Sequence, residues 1–273
     1  MATPTVDSYD VMGQRVTLPV EIRRATAFTA GFVVSHDKAA QLISPSGLRP
    51  LELPGLPGLV ERKTLCMLVL VDYVDGDLGP YNEFGVCFLV RDHRAVDNGS
   101  AAGGWGLSAA LGNAKAMMTG EACALIHQLP VDGEFTRQAG RGIWGYPKIM
   151  AEFDVDHASD TKRATVRADD KLILQLNVRK GFAVPDQQSS AELTSYSYLD
   201  GVTRFTPWQM QARDTRVRMG GADLILGTHP IAEELKSLGL PRRALMTTSV
   251  DNFAMSFGRA TEIVSAGTTS SST

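Results

Sequence analysis

The sequence is poor in cysteine: three residues in 273, Cys66, Cys87 and Cys123, far apart and each inside an apolar string. That excludes a disulfide framework and a Cys-x-x-Cys metal motif, and it predicts buried free thiols. No apolar run approaches the roughly 20 residues that cross a bilayer. No dense basic run points to nucleic acid or an anionic membrane, and 27 Lys plus Arg against 30 Asp plus Glu leaves a net charge of −3. The opening Met-Ala-Thr-Pro-Thr-Val-Asp has no secretory pattern, so a reduced, cytoplasmic setting is expected. A phosphate loop is missing as well, because Gly103-Gly104-Trp105-Gly106 lacks both the GxGxxG pattern and a downstream Lys-Ser/Thr. No second histidine lies at metal-ligand spacing from His36, which reads as a capping or surface residue, and His127 reads as a satisfied core or edge histidine.

What is present is apolar material, 44% of the chain, mostly in strand-like patterns. Residues 64–74 form a nearly continuous apolar run, as expected of a central strand buried on both faces. Strands are also predicted over 26–34, 86–90, 121–130, 151–155, 163–167, 172–178, 215–219 and 253–264, with a hairpin turn at Asp169-Asp170. Residues 38–43 read as a short helix ended by Pro45 and Gly47, and 48–60 as an extended, proline-rich segment. A second helix follows Thr228 as N-cap and stops at Gly239. Helical spacing over 107–118 belongs to what looks like an insertion at 91–120, and 189–201 reads as a serine-rich loop. Together these predict one β-dominated α+β domain over 1–265, a closed barrel with a few peripheral helices, and a disordered tail over 266–273.

The chemistry concentrates in Gly140-Arg141-Gly142-Ile143-Trp144-Gly145-Tyr146-Pro147-Lys148-Ile149-Met150. One lysine sits among apolar and aromatic neighbours, with glycines that let the backbone turn tightly. A free lysine has a pKa of about 10.4, so near pH 7 roughly one in a few thousand is the neutral amine that attacks a carbonyl. Apolar surroundings disfavour an ammonium ion. Lys148 is therefore either a turn residue with its amine in water or a working nucleophile. Likewise, Glu83 in Tyr81-Asn82-Glu83-Phe84-Gly85 is either a strand-end carboxylate or a partly buried group.

Gly140-Arg141 followed by Trp144-Gly145-Tyr146-Pro147-Lys148 resembles the acetoacetate decarboxylase signature, whose first lysine forms a Schiff base. Tyr81-x-Glu83 resembles the family's second motif. The resemblance implies a cone-shaped β-barrel, Lys148 and Glu83 as catalytic residues, and Arg141, Tyr81, Tyr146 and Trp144 at the substrate. It also implies a homo-oligomer that decarboxylates a small-molecule β-keto acid, with the imine as an electron sink that needs neither metal nor organic cofactor. Arg141 has a competing role in holding a turn, and neither Arg23 nor Arg24 aligns clearly with the arginine expected from the N-terminal segment. Two departures stand out: Ile149 replaces the family's second lysine, and Gly142 replaces its glutamate. They keep an aldolase-dehydratase acting on pyruvate or another α-keto acid plus an aldehyde in play. A non-catalytic barrel that binds a hydrophobic ligand is the third possibility.

Overall fold

Long strands whose side chains alternate between two buried faces build the molecule. The computed structural model describes residues 7–53, 61–92, 122–186 and 190–263. The helix expected at 107–118, most of the 91–120 insertion, residues 54–60 of the extended segment and the 266–273 tail lie outside the described residues. The chain opens with β1 (Ser8–Val11), β2 (Gln14–Thr17), β3 (Val20–Ser35), α1 (His36–Ile43), β4 (Lys63–Gly76), β5 (Tyr81–Arg91) and β6 (Ala122–Val131). Next come α2 (Glu134–Trp144), β7 (Lys148–Met150), β8 (Glu152–Asp156), β9 (Thr161–Ala168), β10 (Lys171–Arg179), β11 (Phe182–Ala183) and β12 (Ala191–Leu199). The last are β13 (Val202–Met219), β14 (Ala222–Leu226), α3 (Pro230–Ser237), β15 (Met246–Phe257) and β16 (Thr261–Glu262).

β13, β12, β6, β5, β4, β3 and β15 are hydrogen-bonded in that order, and β15 pairs back onto β13 from Trp208↔Phe257 to Met219↔Met246. The seven strands therefore close into a ring, which satisfies the backbone groups that an open sheet would leave unpaired. Every neighbour in the ring is antiparallel except β12 on β6. The expected barrel is thus this ring, with short helices outside it.

A second antiparallel sheet, β14-β10-β9-β8, packs on the outside of the ring. Its β9–β10 hairpin turns at Asp169 and Asp170, both with positive φ (48° and 59°), the geometry that a two-residue hairpin requires. Ile173, Leu174, Leu176 and Val166 of this sheet join Phe28, Phe32, Leu68, Leu70, Phe84 and Phe88 of the ring in one fully buried cluster. Each such side chain contributes roughly 1.5–3 kcal/mol through burial. Helix α3 closes the same cluster with Ile231 and Leu235.

Three sequence expectations change. The 189–201 segment is mostly strand, because alternate residues Ser195 and Ser197 turn inward and hydrogen-bond Tyr146 and the Trp144 carbonyl. Helix α3 is capped by His229 rather than Thr228, with its Nδ1 accepting from the Ile231 N–H at 3.2 Å. The supposed Gly-Arg turn lies inside α2.

Candidate active site

Helix α2 carries Thr136, Ala139, Gly140 and Ile143 on its buried face, the spacing of successive helical turns. It stops at Gly145, whose left-handed φ of 64° lets its N–H reach the Arg141 carbonyl at 3.2 Å. Tyr146 and Pro147 then lead into β7, which lies parallel to β6 with Lys148 opposite Leu129. This registers the lysine on the ring wall. Its side chain passes over Gly140 so closely that a Cβ there would stand 2.5 Å from Lys148 Cδ.

Lys148 is 3% exposed and Glu83 8%. The ammonium group lies 2.9 Å from Glu83 Oε2, donates to Thr136 Oγ1 at 2.8 Å, and sits 4.8 Å from the centre of the Tyr81 ring. Glu83 Oε1 accepts from the Tyr73 hydroxyl at 2.9 Å. Tyr73 stacks on Tyr81 with ring centres 4.3 Å apart, as expected of directly opposed residues on β4 and β5. Burial, reinforced by the negative charge of Glu83, pushes the Tyr73 and Tyr81 phenols well above their ordinary range. Burial also raises Tyr146 to about 12 and the Cys87 thiol to about 12. The phenols around the pair therefore remain protonated donors.

These groups face a cavity of about 430 Å³ inside the ring. Among the described residues lining it, Lys148 and Glu83 are the only charged ones. Tyr81, Tyr146 and Trp144 line it too, Tyr146 hydrogen-bonded to Ser195 at 3.0 Å and Trp144 anchored by its indole N–H on the Gly258 carbonyl at 2.9 Å.

Arg141 does not line the cavity: its guanidinium lies 3.8 Å from Asp200 and 3.4 Å from the Lys148 carbonyl oxygen. Helical geometry explains this, since Arg141 follows the inward-facing Gly140 by one residue and so turns away. Arg23 is held outside by Asp75 and Asp77, and Arg24 is exposed. His127 pairs with Glu234 at 3.0 Å, away from the lysine.

Sequence reasoning missed Tyr73, Thr136 and the part played by Gly140. The signal for the last two was their four-residue spacing, which becomes visible only once 134–144 is read as a helix.

Comparison with known families decides the relationship. The profile described as acetoacetate decarboxylase matches residues 2–262. The chain belongs to the acetoacetate decarboxylase family. A solved acetoacetate decarboxylase superposes with a TM-score of 0.60 at 16% identity, over 90% of this chain and 89% of the other. The acetoacetate decarboxylase of Legionella pneumophila gives 0.56 at 16% identity, over 90% and 87%. The enduracididine biosynthesis enzyme MppR, solved with pyruvate, gives 0.60 at 11% identity, over 92% and 93%. At these identities the structural likeness establishes the acetoacetate decarboxylase fold. A search of curated proteins finds no match.

Proposed function

We propose that this family member is an imine-forming lyase that decarboxylates a β-keto acid on Lys148. The observation that carries the proposal is a lysine amine, 3% exposed, held 2.9 Å from a buried carboxylate on the wall of an apolar cavity. Passing its proton to Glu83 across that contact leaves Lys148 as the nucleophile. The amine nitrogen attacks the ketone carbon to give a carbinolamine. Glu83 returns the proton to the departing hydroxyl, and water leaves an iminium ion. The carbon–carboxylate bond then breaks, its electron pair moving to the iminium nitrogen as CO₂ departs. A proton from water, relayed through Glu83, adds to the enamine carbon, and hydrolysis releases the ketone and the free amine. The net reaction consumes one proton.

Tyr73 positions Glu83, while Thr136 and the Tyr81 ring hold the lysine nitrogen. Tyr146 and Trp144 form the wall against which substrate rests. Arg141 acts as a positioning residue, tying the end of α2 to the strand that carries Lys148.

A second chemistry is supported by the structural relatives, since MppR has been solved with pyruvate and with the condensation product of pyruvate and imidazole 4-carboxaldehyde. Ile149 and Gly142, at the two departures from the decarboxylase motif, point the same way. In that case the Lys148 enamine of an α-keto acid attacks an aldehyde. Product analysis separates the two: CO₂ from a β-keto acid supports decarboxylation, and an unsaturated keto acid from pyruvate plus an aldehyde supports aldol-dehydration. Turnover of neither, with tight binding of an apolar ligand, would favour a carrier.

A further inference from the structure

Building on the imine chemistry proposed above, we infer that the keto acid carries an extended apolar tail, a medium-chain or aryl group rather than the methyl group of acetoacetate. Charge is the first ground. The two charged side chains on the described wall, Lys148 and Glu83, neutralise each other, and no described arginine reaches the cavity. A short keto acid, mostly carboxylate and carbonyl, finds no further cation there to replace the water it leaves.

Strand register supplies the second ground. Glu83 is opposite Val71, Val71 opposite Ala27, and Ala27 opposite Val250, so across β4, β3 and β15 the rung that bears the carboxylate is apolar, and it meets a polar residue only at Thr215 of β13. The wall continues with Met67 in one direction along the strands and Phe253 in the other. A substrate anchored at Lys148 therefore meets a mainly apolar wall both ways, interrupted on the Met67 side by the paired Thr29 and Thr248.

Size is the third. At about 30 Å³ per water-sized atom, 430 Å³ accommodates roughly fourteen such atoms, about twice the non-hydrogen atoms of acetoacetate. Filling that space with methylenes removes apolar surface from water at both ligand and wall. The expected gain is about fourfold in kcat/KM per methylene, the equivalent of about 0.8 kcal/mol.

The test uses the unmodified protein and a series of straight-chain β-keto acids from acetoacetate up to roughly ten carbons, with benzoylacetate as the aryl member. CO₂ release above the uncatalysed background is measured for each. In parallel, the matching methyl ketones are trapped with borohydride and the adduct is mapped to the Lys148 peptide. The expected result is a rise of about fourfold per methylene, with benzoylacetate far above acetoacetate, and a plateau or fall once the tail exceeds the cavity. Preferential trapping of the long ketones without CO₂ release would uphold the apolar specificity and overturn decarboxylation. Equal or better turnover and trapping of the shortest members would overturn the specificity while leaving the imine intact. Absence of a Lys148 adduct with every ketone would instead overturn the imine chemistry itself.

Discussion

The two faces of β3, β4 and β5 have the same backbone and opposite purposes. On the outer face Phe28, Phe32, Leu68, Phe84 and Phe88 are completely buried against the second sheet. On the inner face, one residue out of step, Ala27, Thr29, Val69, Gly85 and Cys87 line the cavity. Large aromatic residues fill one side, whereas on the other the small residues in mid-strand leave room between Met67 at one end and Tyr73 and Tyr81 at the other. A continuous apolar run in sequence is therefore compatible with either a packed core or a binding chamber, and residue size on alternate positions distinguishes them.

This contrast predicts that substitutions on the inner face affect chemistry and those on the outer face affect stability. The largest effect should come from Lys148→Met, which removes the proposed nucleophile and should lower turnover by about 10³-fold or more. It also leaves Glu83 buried without its partner, so the double variant Lys148→Met with Glu83→Gln should be the more stable of the two while equally inactive. Steady-state assays and denaturant titration check both halves.

Next in size, Phe84→Ala should cost about 3–5 kcal/mol, whereas Val69→Ala, whose side chain already borders empty space, should cost less than about 1.5 kcal/mol. Comparable losses in chemical denaturation would erase the distinction between the faces.

The outer face also carries a pH dependence. The His157 ring packs edge-on against Phe28 with centres 5.0 Å apart, and its Nδ1 lies 2.9 Å from Thr26 Oγ1. Burial first, and then the charge of Lys162, push its pKa down to about 4, against the opposing pull of Asp156 and Asp251. The unfolded chain takes up this proton near 6.5 and the folded chain only near 4, so stability is complete above about 6.5 and falls as pH drops through that window. The expected loss is about 3 kcal/mol, and thermal melts of His157→Gln over the same range should show a shallower decline.

The smallest effect is at Gly140, where the added methyl group of Gly140→Ala must displace the Lys148 side chain. Imine trapping should slow about tenfold, while stability should change by less than about 1 kcal/mol, because alanine's better helix propensity offsets the crowding.

Much of the site was legible because its chemistry is local in sequence. Lys148 and Glu83 stand in short motifs that single them out by family resemblance, and the double burial of β4 follows from its unbroken apolar run. The rest depends on register. Tyr73 reaches Glu83 only because β4 pairs with β5 so that Tyr73 faces Tyr81, and nothing in either segment alone specifies that alignment. Helix α2 was hidden by Gly140, Gly142 and Gly145, read as turn formers although only Gly145 adopts a positive φ. The strand over Ala191–Leu199 was hidden by serines whose hydroxyls find partners inside, on Tyr146 and the Trp144 carbonyl. Arg141 was drawn to the substrate by its motif, and one residue of helical rotation sends it outward.

The most direct measurement is reduction with borohydride in the presence of acetoacetate, pyruvate and a medium-chain methyl ketone in turn, followed by peptide mass mapping. A ketone-dependent adduct confined to residue 148, and missing from Lys148→Met, is the predicted result. An unmodified lysine under all three conditions, in protein that remains folded, would contradict an imine at this site.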